Sequence, residues 1–187
     1  MRKIVLTYGI IAGLLMDLMF LISFWMMENG IITFENSELF GYTSMIIVLS
    51  LIFMGVRSYR NNHLNGVMTF GAGTKAGLLI AGIAALFYAG GWEVYYNTVP
   101  SVKETFMERY IEMNVKKMQH EGATPEKIEA KKVELLQMAE MYKNPFLRFG
   151  ISLAEILPVG IVVALISAGI LKKRECCLRN NIIATHF

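Results

Sequence analysis

The chain has 187 residues, 55% of them apolar, with a net charge of +3 and a mean hydropathy of +0.46. A soluble domain disperses its apolar residues; here they gather in four blocks, each near the roughly 20 helical residues that cross a hydrocarbon core of about 30 Å. No basic stripe with interleaved aromatics occurs, which excludes nucleic acid as an expected partner. Cys176 and Cys177 are adjacent, a spacing that suits neither a disulfide framework nor a metal site.

Residues 4–27 form the first predicted span, behind Arg2 and Lys3. The block exceeds the roughly 7–15 apolar residues of a signal peptide and ends in no small-residue cleavage site, so it reads as a retained anchor. Gly9, Gly13 and Asp17 share one helix face, and small residues so spaced let another helix approach closely. A loop over residues 28–38 holds Glu28, Glu35 and Glu38 and no Lys or Arg. The second span covers residues 39–56. A basic loop with Arg57, Arg60 and His63 follows, then an Asn65-Gly66 turn.

The third span, residues 74–96, has two small-residue faces: Gly73, Gly77 and Ala81 on one, and Gly82, Ala85, Ala89 and Glu93 on the other. Gly90-Gly91 is expected to loosen this helix before Trp92, Tyr95 and Tyr96, whose amphipathic rings suit a membrane interface. Pro100 ends it. Ser101 and Glu104 have capping-box spacing and open a polar helical hairpin over residues 101–143. Its first arm stops at Gly122 and its second restarts at Thr124-Pro125. Apolar stripes such as Val102, Phe106 and Tyr110 on one arm and Leu135, Met138 and Tyr142 on the other allow an antiparallel zip or packing on the bilayer surface. Asn144-Pro145 breaks the second arm. The fourth span covers residues 146–171, with a kink expected at Pro158 and small residues at Gly160, Ala164 and Ala168. Residues 175–187 read as a disordered tail.

The amino end, the Arg57–His63 loop and the carboxyl end are basic, while the first loop is not. Short basic segments stay cytoplasmic. Both termini are therefore expected inside a bacterial inner membrane, with the hairpin outside. The hairpin's own Lys residues count against this, but long segments translocate largely regardless of charge.

Three carboxylates fall inside the spans: Asp17 near the midplane, and Glu93 and Glu155 in the outer leaflet. A charged side chain at the bilayer centre costs at least about 2.5–3.5 kcal/mol on insertion scales. Opposed helix directions make Glu93 and Glu155 a candidate pair, with Arg148 two turns from Glu155 as a further partner. One interpretation is a proton- or cation-handling site. The other is hydrogen-bonded glue between helices, with Ser152, Tyr88, Tyr95 or Ser50 as partners. No metalloprotease, nucleophile-elbow or phosphate-loop motif occurs, and His63, His120 and His186 are scattered. No catalytic residue, metal site or cofactor is expected, and the chain reads as a non-enzyme.

Several segments together resemble a bacterial membrane family with no assigned function, domain-of-unknown-function family 4199. They are residues 8–13 (Tyr-Gly-Ile-Ile-Ala-Gly), 41–47, 53–60, 77–80, 91–96 (Gly-Trp-Glu-Val-Tyr-Tyr), 143–145 (Lys-Asn-Pro) and 155–160 (Glu-Ile-Leu-Pro-Val-Gly). The resemblance covers about residues 1–174 and implies four spans with a helical insert before the last. It implies no activity, ligand or catalytic residue.

The expected architecture is all-α: a four-helix transmembrane bundle, residues 1–174, with an extramembrane α-helical hairpin between spans three and four. Two functions fit it. One is a bundle in membrane lipid whose outward hairpin docks an envelope protein or another copy of the chain. The other is a small proton- or cation-coupled carrier or channel using Asp17, Glu93 and Glu155. Gly9, Gly13, Gly73, Gly77 and Gly160 are the expected helix-packing positions.

Overall fold

A chain that places apolar blocks in lipid must satisfy its backbone internally, and helices do so within each segment. The computed structural model describes residues 1–32 and 34–173, with backbone alone at residue 28 and residues 34–38. Six helices follow in order: α1 (Arg2–Glu28), α2 (Phe34–His63), α3 (Phe70–Thr98), α4 (Pro100–His120), α5 (Pro125–Tyr142) and α6 (Pro145–Leu171). Four segments are long and apolar enough to cross a membrane: Arg2–Met27, Leu39–His63, Phe70–Thr98 and Pro145–Leu171. This is the all-α, multi-pass arrangement that the hydropathy pattern predicts. The tail at residues 175–187, with both cysteines, lies outside the described residues.

Local boundaries differ from the sequence expectation in four places, the first being that α2 begins at Phe34, inside the loop expected over residues 28–38. The basic stretch with Arg57, Arg60 and His63 is not a loop but the last turns of α2, where cations suit the negative end of the helix dipole. α4 begins at Pro100, with Val99 as its cap, so Ser101 lies inside the helix and no capping box forms. Its carbonyl instead accepts a hydrogen bond from the Thr105 hydroxyl at 2.7 Å. α3 runs unbroken through Gly90 and Gly91. The turn between α4 and α5 uses Gly122 at φ +74°, a conformation that a side chain disfavours.

α3 is the hub, packed on α1, α2, α4 and α6. Its seam with α6 is antiparallel and built from small residues: Gly73 meets Ala168, Gly77 meets Ala164, and Ala81 meets Gly160. Each step moves four residues forward along α3 and four back along α6. Its seam with α1 is parallel: Gly9 packs on Ile83, Gly13 on Phe87, and the Asp17 carboxyl on Gly91. Without a hydrophobic force between helices in lipid, close van der Waals contact across such residues holds the bundle. Leu49, Ile52, Val56, Ile80 and Ile156 fill the centre. At one end, Met68 and Lys173 exchange backbone hydrogen bonds of 3.0 and 2.9 Å, tying the α2–α3 connection to the end of α6.

A Cβ at Gly77 would stand 2.8 Å from the Ala164 Cβ, whereas one at Gly82 meets nothing within 4 Å. Gly77→Ala should therefore lower the thermal unfolding midpoint in detergent, by an overpacking cost of about 1–3 kcal/mol. Gly82→Ala should leave it unchanged or raise it slightly. Differential scanning fluorimetry of the two variants checks this.

Candidate functional site

Following the α3–α6 seam past its small residues leads to Ala85, Ala89, Ile156 and Ser152, all buried, and then to Glu93 facing Arg148. Arg148 is 3% exposed and the Glu93 side chain 19% exposed. The guanidinium grips the carboxylate with two parallel bonds: Nε donates to Oε1 at 2.7 Å and Nη2 to Oε2 at 2.6 Å. Nη1 donates to the Tyr142 carbonyl at 3.0 Å, at the end of α5. The guanidinium carbon also lies 4.0 Å from the centroid of the Tyr96 ring. A planar fork, a matched carboxylate and an aromatic face together satisfy a cation that water no longer solvates.

Glu93 is thus not paired with Glu155, and Arg148 does not serve Glu155. The seam register decides this, because it sets Arg148 opposite Glu93, while Glu155, two turns beyond Arg148, lines a cavity instead. Two of the other partners expected for it are engaged elsewhere. Ser152 donates to the Arg148 carbonyl at 3.2 Å, and Ser50 donates to the Ile47 carbonyl at 2.6 Å.

Aromatic rings surround the fork. Trp92 packs edge-on to Phe20 with centroids 5.1 Å apart, and lies 4.9 Å from Phe106 of α4. Tyr142 stacks on Phe106 at 5.6 Å and meets Tyr96 at 5.8 Å. The Tyr96 hydroxyl donates to the Lys103 carbonyl at 3.3 Å. Burial pushes the Tyr142 phenol above its ordinary pKa, so it stays neutral beside the fork. Trp92 Nε1 is buried and lies near that phenol without completing a hydrogen bond of good geometry. These contacts fasten α4 and α5 to the ends of the spans.

The two remaining carboxyls are placed differently. Asp17 is half-buried on α1, in the space that a side chain at Gly91 would take. Gly91 therefore serves as a seat for Asp17. Glu155 is accessible and lines a cavity of about 360 Å³ between α1, α2, α3, α4 and α6. Neither carboxyl has an ion pair or hydrogen bond among the described residues. Tyr88 also lines that cavity and lies within electrostatic reach of both. Tyr110 and Met113 of α4 complete the wall, so the helix between the spans is part of the site. A second chamber of about 330 Å³, between α1, α2 and α4, shares Ser23, Tyr110 and Met113 with the first. No group of three or more His, Cys, Asp or Glu side chains that could hold a metal ion occurs among the described residues.

Residues 7–173 match the family model described as protein of unknown function (DUF4199). The chain belongs to this family. No match was found among curated proteins or among solved structures. The family's residues thus include the whole seam, the fork and the Glu155 cavity.

The partnership of Arg148 with Glu93 was missed by sequence reasoning, although its signal was present. Extending the stripe Gly73, Gly77, Ala81 forward and the stripe Ala168, Ala164, Gly160 backward by equal steps places residue 93 opposite residue 148. Glu93→Ala should cost about 3–5 kcal/mol, because it leaves a buried cation unpaired. The double variant Glu93→Ala/Arg148→Met should lose less than the sum of the two single losses. A double-mutant cycle of unfolding in detergent measures the difference, and strict additivity would deny the pair its role.

Proposed function

We propose that this multi-pass membrane protein is a non-enzymatic, cation-handling carrier or channel of the bacterial inner membrane, with Glu155 as the site's charge and α4 as its cover. The observation that carries this is a carboxyl without a partner among the described residues, facing a cavity whose wall includes Tyr110 and Met113 of α4. An intramembrane carboxyl that buttresses a fold finds a partner, as Glu93 does in Arg148. Glu155 instead faces space. Asp17 and Tyr88 extend the polar path toward the midplane. Both termini lie in the cytoplasm on this proposal and the α4–α5 hairpin outside, as the basic short segments favour.

A second reading rests on α5. Val133, Leu136 and Met141 are each close to half exposed on that helix, and they would seat an envelope partner or a second copy of the chain. Engagement of α4 and α5 with the fork favours the first reading, because the hairpin is built into the site.

In proteoliposomes, the purified protein should pass protons or small cations, and Glu155→Gln should reduce that flux by about tenfold or more. Asp17→Asn should reduce it less. Flux unchanged in Glu155→Gln removes the mechanism. For sidedness, alkaline phosphatase fused after Gly122 should be active and the same enzyme fused after Asn65 inactive; the reverse pattern inverts the topology.

A further inference from the structure

We propose that the Glu155 cavity takes a lipophilic organic cation, with its ammonium head at Glu155 and its apolar tail in the neighbouring chamber between α1, α2 and α4. This deepens the cation-handling reading and rests on it for the role of Glu155.

Three observations select this ligand class. First, the cavity offers one carboxyl, and no cluster of metal-ligating side chains occurs among the described residues. A hard ion such as Ca²⁺ seeks about six to eight oxygen ligands, so a strongly hydrated metal ion finds little here to replace its water. A bulky, weakly hydrated ammonium needs only a counter-charge and polarisable walls. Second, the walls are of that kind. Phe20, Tyr42, Tyr88 and Tyr110 present rings, and Met16, Met19, Met45 and Met113 present thioethers. Aromatic faces attract a desolvated cation through their quadrupoles, and Met adapts to irregular apolar shapes. Third, the space does not end at the head site. The second chamber shares Ser23, Tyr110 and Met113 with the first and continues along Phe24, Met27 and Phe106. Arg109 also lines that second chamber. Its charge repels an ammonium there and directs the head to Glu155. Each chamber has the volume of an ordinary small-molecule site.

The test measures equilibrium binding of radiolabelled tetramethylammonium and decyltrimethylammonium to the full chain in lipid nanodiscs, with empty discs subtracted. The long-chain ion should bind at least about tenfold more tightly than the short one. Glu155→Gln should weaken both by about tenfold, and Glu155→Asp should restore much of the loss. Thr105→Trp, which fills the second chamber, should abolish the advantage of the long chain while leaving tetramethylammonium unaffected. Thermal unfolding midpoints near wild type establish that each variant is folded. Competition by decanol as strong as that of the ammonium ion would overturn the proposal, as would binding indifferent to Glu155→Gln or to chain length. Glu155-dependent proton flux without alkylammonium binding would overturn this inference and keep the cation-handling reading. Binding without flux would keep the inference and overturn transport.

Discussion

A single antiparallel register between α3 and α6 governs the rest of the molecule. Its small residues bring the two backbones together, since lipid supplies no hydrophobic force to do so. Once Gly73, Gly77 and Ala81 meet Ala168, Ala164 and Gly160, no freedom remains at the far end of the seam. There Glu93 and Arg148 face each other and close two short hydrogen bonds. Either group alone would be a costly charge at the edge of an apolar bundle; together they satisfy each other. A slip of one turn would bury both unpaired, so the fork makes the register selective as well as favourable.

The fork also determines how the polar helices sit. Arg148 reaches the Tyr142 carbonyl at the end of α5 and lies over Tyr96, while Trp92 and Tyr96 receive Phe106 and Lys103 of α4. Two helices that could have lain on the bilayer surface are instead held over the ends of the spans. That placement brings Tyr110 and Met113 into the wall of the Glu155 cavity. The three intramembrane carboxyls therefore divide by surroundings. Glu93 is paired with Arg148, Asp17 is seated in the gap left by Gly91, and Glu155 faces a cavity.

Much of this was legible in the residues. Four apolar blocks matched four candidate spans, Gly122 and Pro125 marked the turn between the polar helices, and Gly9, Gly13 and the stripe Gly73, Gly77, Ala81 lie where helices meet, whereas Gly82, read as part of a second face, meets nothing within 4 Å. The errors came where a local pattern competed with another local signal or with a tertiary contact. Ser101-Glu104 has the letters of a capping box, but Pro100 already suits the first helical position. Gly90-Gly91 has the letters of a weak point, but a continuous helix packed on α1 keeps its shape, and the missing side chain at Gly91 makes room for Asp17. Arg148 lies two turns from Glu155 along one helix, and proximity in sequence suggested the wrong partner.

By itself, the sequence determined which segments suit lipid as their solvent, because predominantly apolar runs of more than about twenty residues are long enough to cross a bilayer as helices. It also determined that the apolar blocks would be helical, because runs of about twenty residues match a helical span, whereas a spanning strand needs only about 9–11. Which carboxyl is neutralised and which is left facing a cavity was decided only by tertiary structure. Charge pairing depends on the relative rotation and register of two helices, and those follow from side-chain packing across α3 and α6 rather than from either helix alone.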